Sequence, residues 1–156
     1  MRVPIRQGDI PGVQLRQERQ LEAPRLEVWR WLTEPARLER WLAEEVEALG
    51  GSEPGWRLVG TDEVGAPLIE SARQESLESG RRWVLVFRRD EAGWESATRL
   101  TFELAGDERC TLTVLQQGFE RLSLSRCLSV WEQYRHRWRG ALDRLEEALA
   151  VERSRP

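Results

Sequence analysis

Arg135 and Tyr134 are the polar side chains best placed to do chemistry. On a helix of about 100° per residue they fall about 60° and 40° to either side of Trp138, so both flank an apolar stripe. A guanidinium turned inward there must find an anion, because an unpaired buried charge is very costly. A sheet carboxylate such as Glu70 or Glu103 fits, and so does the carboxylate or enolate of a ligand. In the second case Arg135 anchors an acidic head while Trp131, Trp138, Phe87 and Phe102 hold an apolar body, with Trp83 and Trp41 completing the lining. The alternative leaves Arg135 at the stripe's edge with its charged end in water. Tyr134 either donates a proton to an enolate or is a tyrosine hydrogen-bonded within a core.

Other reactive residue types narrow the chemistry further. His136, the only histidine, is the natural general base at neutral pH. It falls about 160° from Trp138, on the outer face of the helix, which argues against histidine-activated nucleophiles. Cys110 and Cys127 stand 17 positions apart with no Cys-x-x-Cys spacing, too few ligands for zinc, and are expected as reduced, buried, apolar side chains. All 24 basic residues are arginine, so lysine Schiff-base chemistry is excluded. No catalytic residue, metal or cofactor is assigned. Trp94, near an expected turn at Ala92-Gly93, is either a lid residue or an exposed contact.

The elements that must position these residues follow from periodicity. Residues 13–21 alternate as a half-buried strand, although Gln17 and Arg19 share the inward parity with Val13, Leu15 and Leu21. Ala23-Pro24 opens a helix carrying Leu26, Trp29 and Leu32, and Glu34-Pro35 ends it and starts a second bearing Leu38, Trp41 and Leu42. Glycine-containing turns at Gly50-Gly51, Gly65, Gly80, Ala92-Gly93 and Gly106-Asp107 then separate strands expected at 55–60, 67–77, 81–89, 97–104 and 109–117. Strand 81–89 is apolar on both parities, as if covered on both faces, with Arg81-Arg82 and Arg88-Arg89 as solvated flanks. From about 124 to 151, Leu124, Cys127, Trp131, Trp138, Leu142, Leu145 and Leu149 lie within about 40° of one line, predicting a helix of roughly 40 Å. Ser129-x-x-Glu132 spells a capping box and offers a later start.

Length and composition agree with one domain. The 156 residues, 40% hydrophobic and 33% charged, are enough to bury a core without disulfides or metals. A net charge of −3 without a basic stripe excludes the footprint of a nucleic-acid binder. No run approaches the roughly 20 apolar residues of a membrane span, and Met1 to Gly12 carries no signal-peptide core. A reduced, cytoplasmic protein is expected, with residues 1–12 as an extension, 13–152 as the domain and 153–156 as a tail. Eight tryptophans imply a bulky core or an aromatic-lined pocket.

Strand, two short helices, antiparallel meander and long C-terminal helix is the order of a helix-grip α+β fold. Val28-Trp29, Leu32-Thr33-Glu34-Pro35, Leu38 and Arg40-Trp41-Leu42 resemble the opening signature of the SRPBCC (START-like) superfamily. Gly55-Trp56-Arg57-Leu58, Thr98 to Leu104, Cys110 to Thr113, Gly118-Phe119, and Trp138 with Leu142, Arg144 and Leu145 resemble the branch named after the activator of the ninety-kilodalton heat-shock-protein ATPase. Arg137 stands where that branch usually has glycine. The resemblance implies a curved sheet of six or seven strands around the last helix, with a cavity between them for a hydrophobic or amphipathic small molecule. A carrier or sensor, a polyketide cyclase or dehydratase, and a protein-interaction or chaperone-associated module all remain open, as do monomer and homodimer.

Overall fold

Seven strands build one antiparallel sheet in the computed structural model, which describes residues 14–52, 54–62, 64–91, 94, 96–122 and 127–155. The elements run β1 (Gln14–Leu21), α1 (Arg25–Thr33), α2 (Pro35–Leu38), β2 (Glu45–Ala48), β3 (Gly55–Thr61), β4 (Pro67–Glu78), β5 (Arg82–Arg89), β6 (Thr98–Gly106), β7 (Cys110–Gln117) and α3 (Cys127–Ser154). The sheet order is β1-β7-β6-β5-β4-β3-β2, a meander from β2 to β7 closed by β1 against β7. This is the helix-grip arrangement, with α3 against the inner face. The short β2, not among the expected strands, forms one edge beside β3.

The two polar residues that disturb the alternation of β1 have a structural reason. Gln17 donates to the Arg135 carbonyl at 2.8 Å. Arg19 reaches Asp143 at 2.6 Å and Glu146 at 3.1 Å. Their inward parity therefore ties β1 to α3. Within β4 the pairing to β5 shifts register between Gln74 and Ser76, an irregularity that bends a strand and helps the sheet curve. Gly55 allows β3 to approach β4, since a Cβ there would lie 2.0 Å from the Ala72 carbonyl oxygen.

Trp56, Trp83, Phe87, Phe102 and Trp138 pack together in the core. Trp56 meets Trp83 edge-on at 4.6 Å, and Phe102 meets Trp138 at 5.9 Å. The Trp138 indole donates to Gln116 at 2.9 Å, Gln116 to Thr98 at 3.0 Å, and Thr98 to the Phe87 carbonyl at 3.1 Å. Each side chain in that buried chain has a partner, whereas the buried Trp31 indole N–H has none among the described residues.

Several expectations need correction. Strand β5 is covered on its inner face by Trp83, Leu85 and Phe87, but Val86 on the other face is 42% exposed. On that outer face Val84 is buried, so the cover is partial, and one face of an antiparallel sheet suffices for the core. The last helix already includes Cys127 and Leu128, so Ser129 is not its start, and it runs to Ser154, into the segment expected as a tail. The 1–12 extension, the Ala92-Gly93 turn and Leu124 lie outside the described residues.

Candidate functional site

Where β3 and β4 curl away from α3, a cleft of about 550 Å3 opens between the helix and the hairpin. Its walls come from the α2–β2 connection (Glu39 to Glu44), the β3–β4 turn (Gly60 to Asp62, Val64, Leu68), Arg89, and the α3 face from Gln133 to Arg144. Trp41, Leu42, Ala43 and Leu68 supply apolar wall. At the hairpin tip, Val64 is 87% exposed.

Behind this cleft sits a buried polar cluster. Glu70 lies on the inner face of β4, paired across the sheet with Leu58 and Arg89, and is 1% exposed. The Tyr134 hydroxyl and an Arg137 nitrogen both donate to its Oε2. A second Arg137 nitrogen reaches the Leu42 carbonyl at 3.4 Å, tying the α2–β2 connection to α3. The guanidinium also lies 5.7 Å from the Tyr134 ring centre. Burial pulls the Arg137 pKa down, but the Glu70 charge and hydrogen bond outweigh it and leave it raised. Two charges taken from water at this depth survive because each is paired and hydrogen-bonded.

Tyr134 is enclosed by the rings of Phe87, Trp94 and Phe119, at 5.7, 5.8 and 6.2 Å. Burial, reinforced by the neighbouring Glu70 charge, pushes its phenol well above the ordinary 10.0. A phenol held neutral has one hydrogen to donate, and here it goes to Glu70, which leaves the hydroxyl oxygen as an acceptor. The raised value means that stability is untouched below about pH 10 and falls by about 1.4 kcal/mol per pH unit above it, until the folded-state value is passed. Tyr134 is the only tyrosine, so alkaline difference absorbance reads it alone. Its phenolate signal is expected to rise together with unfolding; an earlier rise would show a solvated phenol.

The eight residues expected to line a cavity divide. Trp41 and Tyr134 lie in the cleft wall. Phe87, Phe102 and Trp138 are fully buried and Trp83 nearly so, packed as core and absent from the wall. Trp131 is half-buried, donating to the Gln14 carbonyl at 2.8 Å. Arg135 turns away from the cleft, its guanidinium paired with Glu132 at 2.5 Å and 5.7 Å from the Trp131 ring centre. The physical reason lies in Val130, Ala141 and Ala148, which are buried. They fall on the Tyr134 side of Trp138 and rotate the buried arc by about 20–30° toward it, carrying Tyr134 in and Arg135 out.

Arg137, at the other border of that arc, takes the inward role, one of the two readings of Arg135, with Glu70 as its partner. Arg89, expected as a solvated flank, is inward and held by Glu91 at 2.7 Å and Gln133 at 3.2 Å. Trp94 is neither lid nor exposed contact but 3% exposed against Tyr134. His136 is exposed, on the outer side of the cleft lining. Burial raises the pKa of both cysteine thiols, which disfavours the nucleophilic thiolate. Among the described residues no helix is long and apolar enough to cross a membrane.

Comparison with known proteins agrees with this architecture. Among solved structures, a protein from Chromobacterium violaceum is 23% identical, with a TM-score of 0.66 over 86% of this chain and 96% of its own. The AHSA1 protein from Silicibacter pomeroyi is 16% identical, with a TM-score of 0.66 over 89% of this chain and 99% of its own. DynU16, from the dynemicin biosynthetic locus, is 22% identical, with a TM-score of 0.71 over 91% of this chain and 49% of its own. These likenesses show the shared fold. No curated protein matches the chain. Residues 22–150 match the family described as Activator of Hsp90 ATPase homolog 1-like protein, and the chain belongs to that family.

Proposed function

We propose that this domain binds a small amphipathic molecule in the cleft between α3 and the β3–β4 hairpin, as a carrier or sensor. The observation that carries the proposal is a cleft of about 550 Å3 whose wall joins an apolar strip, Trp41, Leu42 and Leu68, to Tyr134 and Arg137. That volume and that mixture of apolar wall with a few fixed polar groups suit a small organic ligand.

A second reading, a cyclase- or dehydratase-like enzyme, is favoured by the Glu70, Tyr134 and Arg137 cluster. A neutral phenol suits the polarising of a ligand carbonyl or the protonation of an enolate once its hydrogen turns from Glu70 to the ligand. DynU16 comes from a biosynthetic locus, which is compatible with either role.

A thermal-shift panel of fatty acids, flat aromatic acids and polyketide-like compounds tests the binding reading. A ligand at about 100 times its Kd adds roughly 2.7 kcal/mol, a rise of several degrees in Tm. The rise is expected to persist in Arg135→Met and to vanish in Ala43→Trp, which fills the cleft. No rise with any compound, or a rise untouched by Ala43→Trp, counts against the proposal. Turnover that Tyr134→Phe abolishes while binding persists would select the enzyme reading.

A further inference from the structure

We infer that Arg144 holds the anionic end of the ligand in a seat that Gly140 keeps open, so that the cleft selects carboxylates over their neutral analogues. The inference rests on the binding proposal and adds the ligand's charge class.

Four guanidinium groups border the cleft: Arg40, Arg89, Arg137 and Arg144. Three have carboxylate partners already. Arg40 faces Glu152 at 3.6 Å, Arg89 holds Glu91 at 2.7 Å, and Arg137 is paired with Glu70. Arg144 has none among the described residues. Its Nε donates to the Trp41 carbonyl at 3.1 Å, which orients the group and leaves both terminal nitrogens without a described acceptor. A guanidinium so oriented matches a carboxylate through two parallel hydrogen bonds.

The acidic residues around the cleft are committed elsewhere. Glu39 accepts from the Val46 N–H at 3.0 Å, and Glu44 from the Thr61 hydroxyl at 3.2 Å. Asp62 accepts from the Val64 and Ala66 N–H groups at 3.0 and 2.9 Å. Each of these three carboxylates has a local structural partner, and none of them pairs with Arg144 among the described residues.

Gly140, one helical turn before Arg144 in the same wall, supplies an independent observation. Glycine in the interior of a helix is unfavourable relative to alanine, and position 140 lies within the 28-residue α3. A Cβ there would meet the Arg144 Nη1 at 3.4 Å and nothing nearer. Backbone packing therefore does not demand the glycine. What the missing side chain provides is space in the cleft wall, beside the cleft guanidinium that has no carboxylate partner among the described residues.

Amide-resolved NMR titrations with benzoate, 2-naphthoate and dodecanoate, each beside its primary amide, test the inference. The acids are expected to shift the Gly140, Trp41 and Ala43 amides, and each amide analogue to bind roughly 10-fold more weakly or worse, the scale of a charge-assisted pair. Arg144→Gln should bring acid and amide to equal affinity, with Tm lowered only by the loss of the one part-buried hydrogen bond to the Trp41 carbonyl. Gly140→Ala should raise Tm, whereas Gly140→Leu should keep the fold and lose the acid. Acids and amides binding the cleft equally in the unaltered protein would overturn the role of Arg144 and leave the binding proposal standing. No shift at cleft amides with any acid would overturn both.

Discussion

Arg137→Met is expected to lower stability by about 3–5 kcal/mol, a fall in Tm of about 10 °C or more, measured by thermal and urea unfolding. The cause is the carboxylate left behind. Glu70 is buried on the inner face of β4, and removing the cation leaves its charge in a low-dielectric site with the Tyr134 hydroxyl as its remaining side-chain hydrogen bond among the described residues. The double variant Arg137→Met with Glu70→Gln removes both charges and keeps an acceptor for Tyr134. It should be more stable than Arg137→Met alone by about 1 kcal/mol or more, the coupling expected of residues in one network. Equal stability of the single and double variants would mean that Glu70 is not held as a buried anion by Arg137.

Trp138→Ala is expected to cost about 3–5 kcal/mol as well, by a different route. Trp138 is 1% exposed, touches Phe102 and donates to the buried Gln116. Truncation leaves a cavity and an acceptor without its donor. Ligand affinity should remain within about threefold of the parent, because additivity holds for groups that share no contact and Trp138 is no part of the cleft wall. Isothermal titration on the folded variant measures this. A loss of binding far beyond the loss of stability would return the site to the aromatic core.

The two expectations divide the molecule as the sequence itself divides. Period-two alternation and regularly spaced turns made most of the sheet legible, and the 3.6-residue stripe did the same for α3. The short β2 escaped because Glu45, Glu47 and Ala48 are exposed and Val46 alone is buried, so no alternation marks it. The bulk of the tryptophan side chains was legible, but not that they fill the space a ligand would need. Sequence phase placed Arg135 and Tyr134 symmetrically about Trp138, and small residues broke that symmetry: alanines at 141 and 148 carry little weight in a stripe of leucines and tryptophans, yet both are buried. Glu70 was legible as a partner for an inward arginine, while the identity of that arginine depended on the helix rotation. The cleft wall joins residues from 39–44, 60–68, 89 and 133–144, a juxtaposition made by sheet curvature and invisible to any local pattern. Arg137 carried a signal of a kind, as the departure from glycine in the resemblance.

The central claim, that the ligand site is the cleft between α3 and the β3–β4 hairpin, is tested most directly by mapping amide chemical-shift changes with the strongest ligand from the thermal panel. Changes are expected at Trp41 to Ala43, Gly60 to Asp62 and Gln133 to Gly140, with the amides of Phe102, Val114 and Leu112 unmoved. Changes centred instead on β6 and β7 beneath Trp138 would contradict it and place the ligand within the aromatic core.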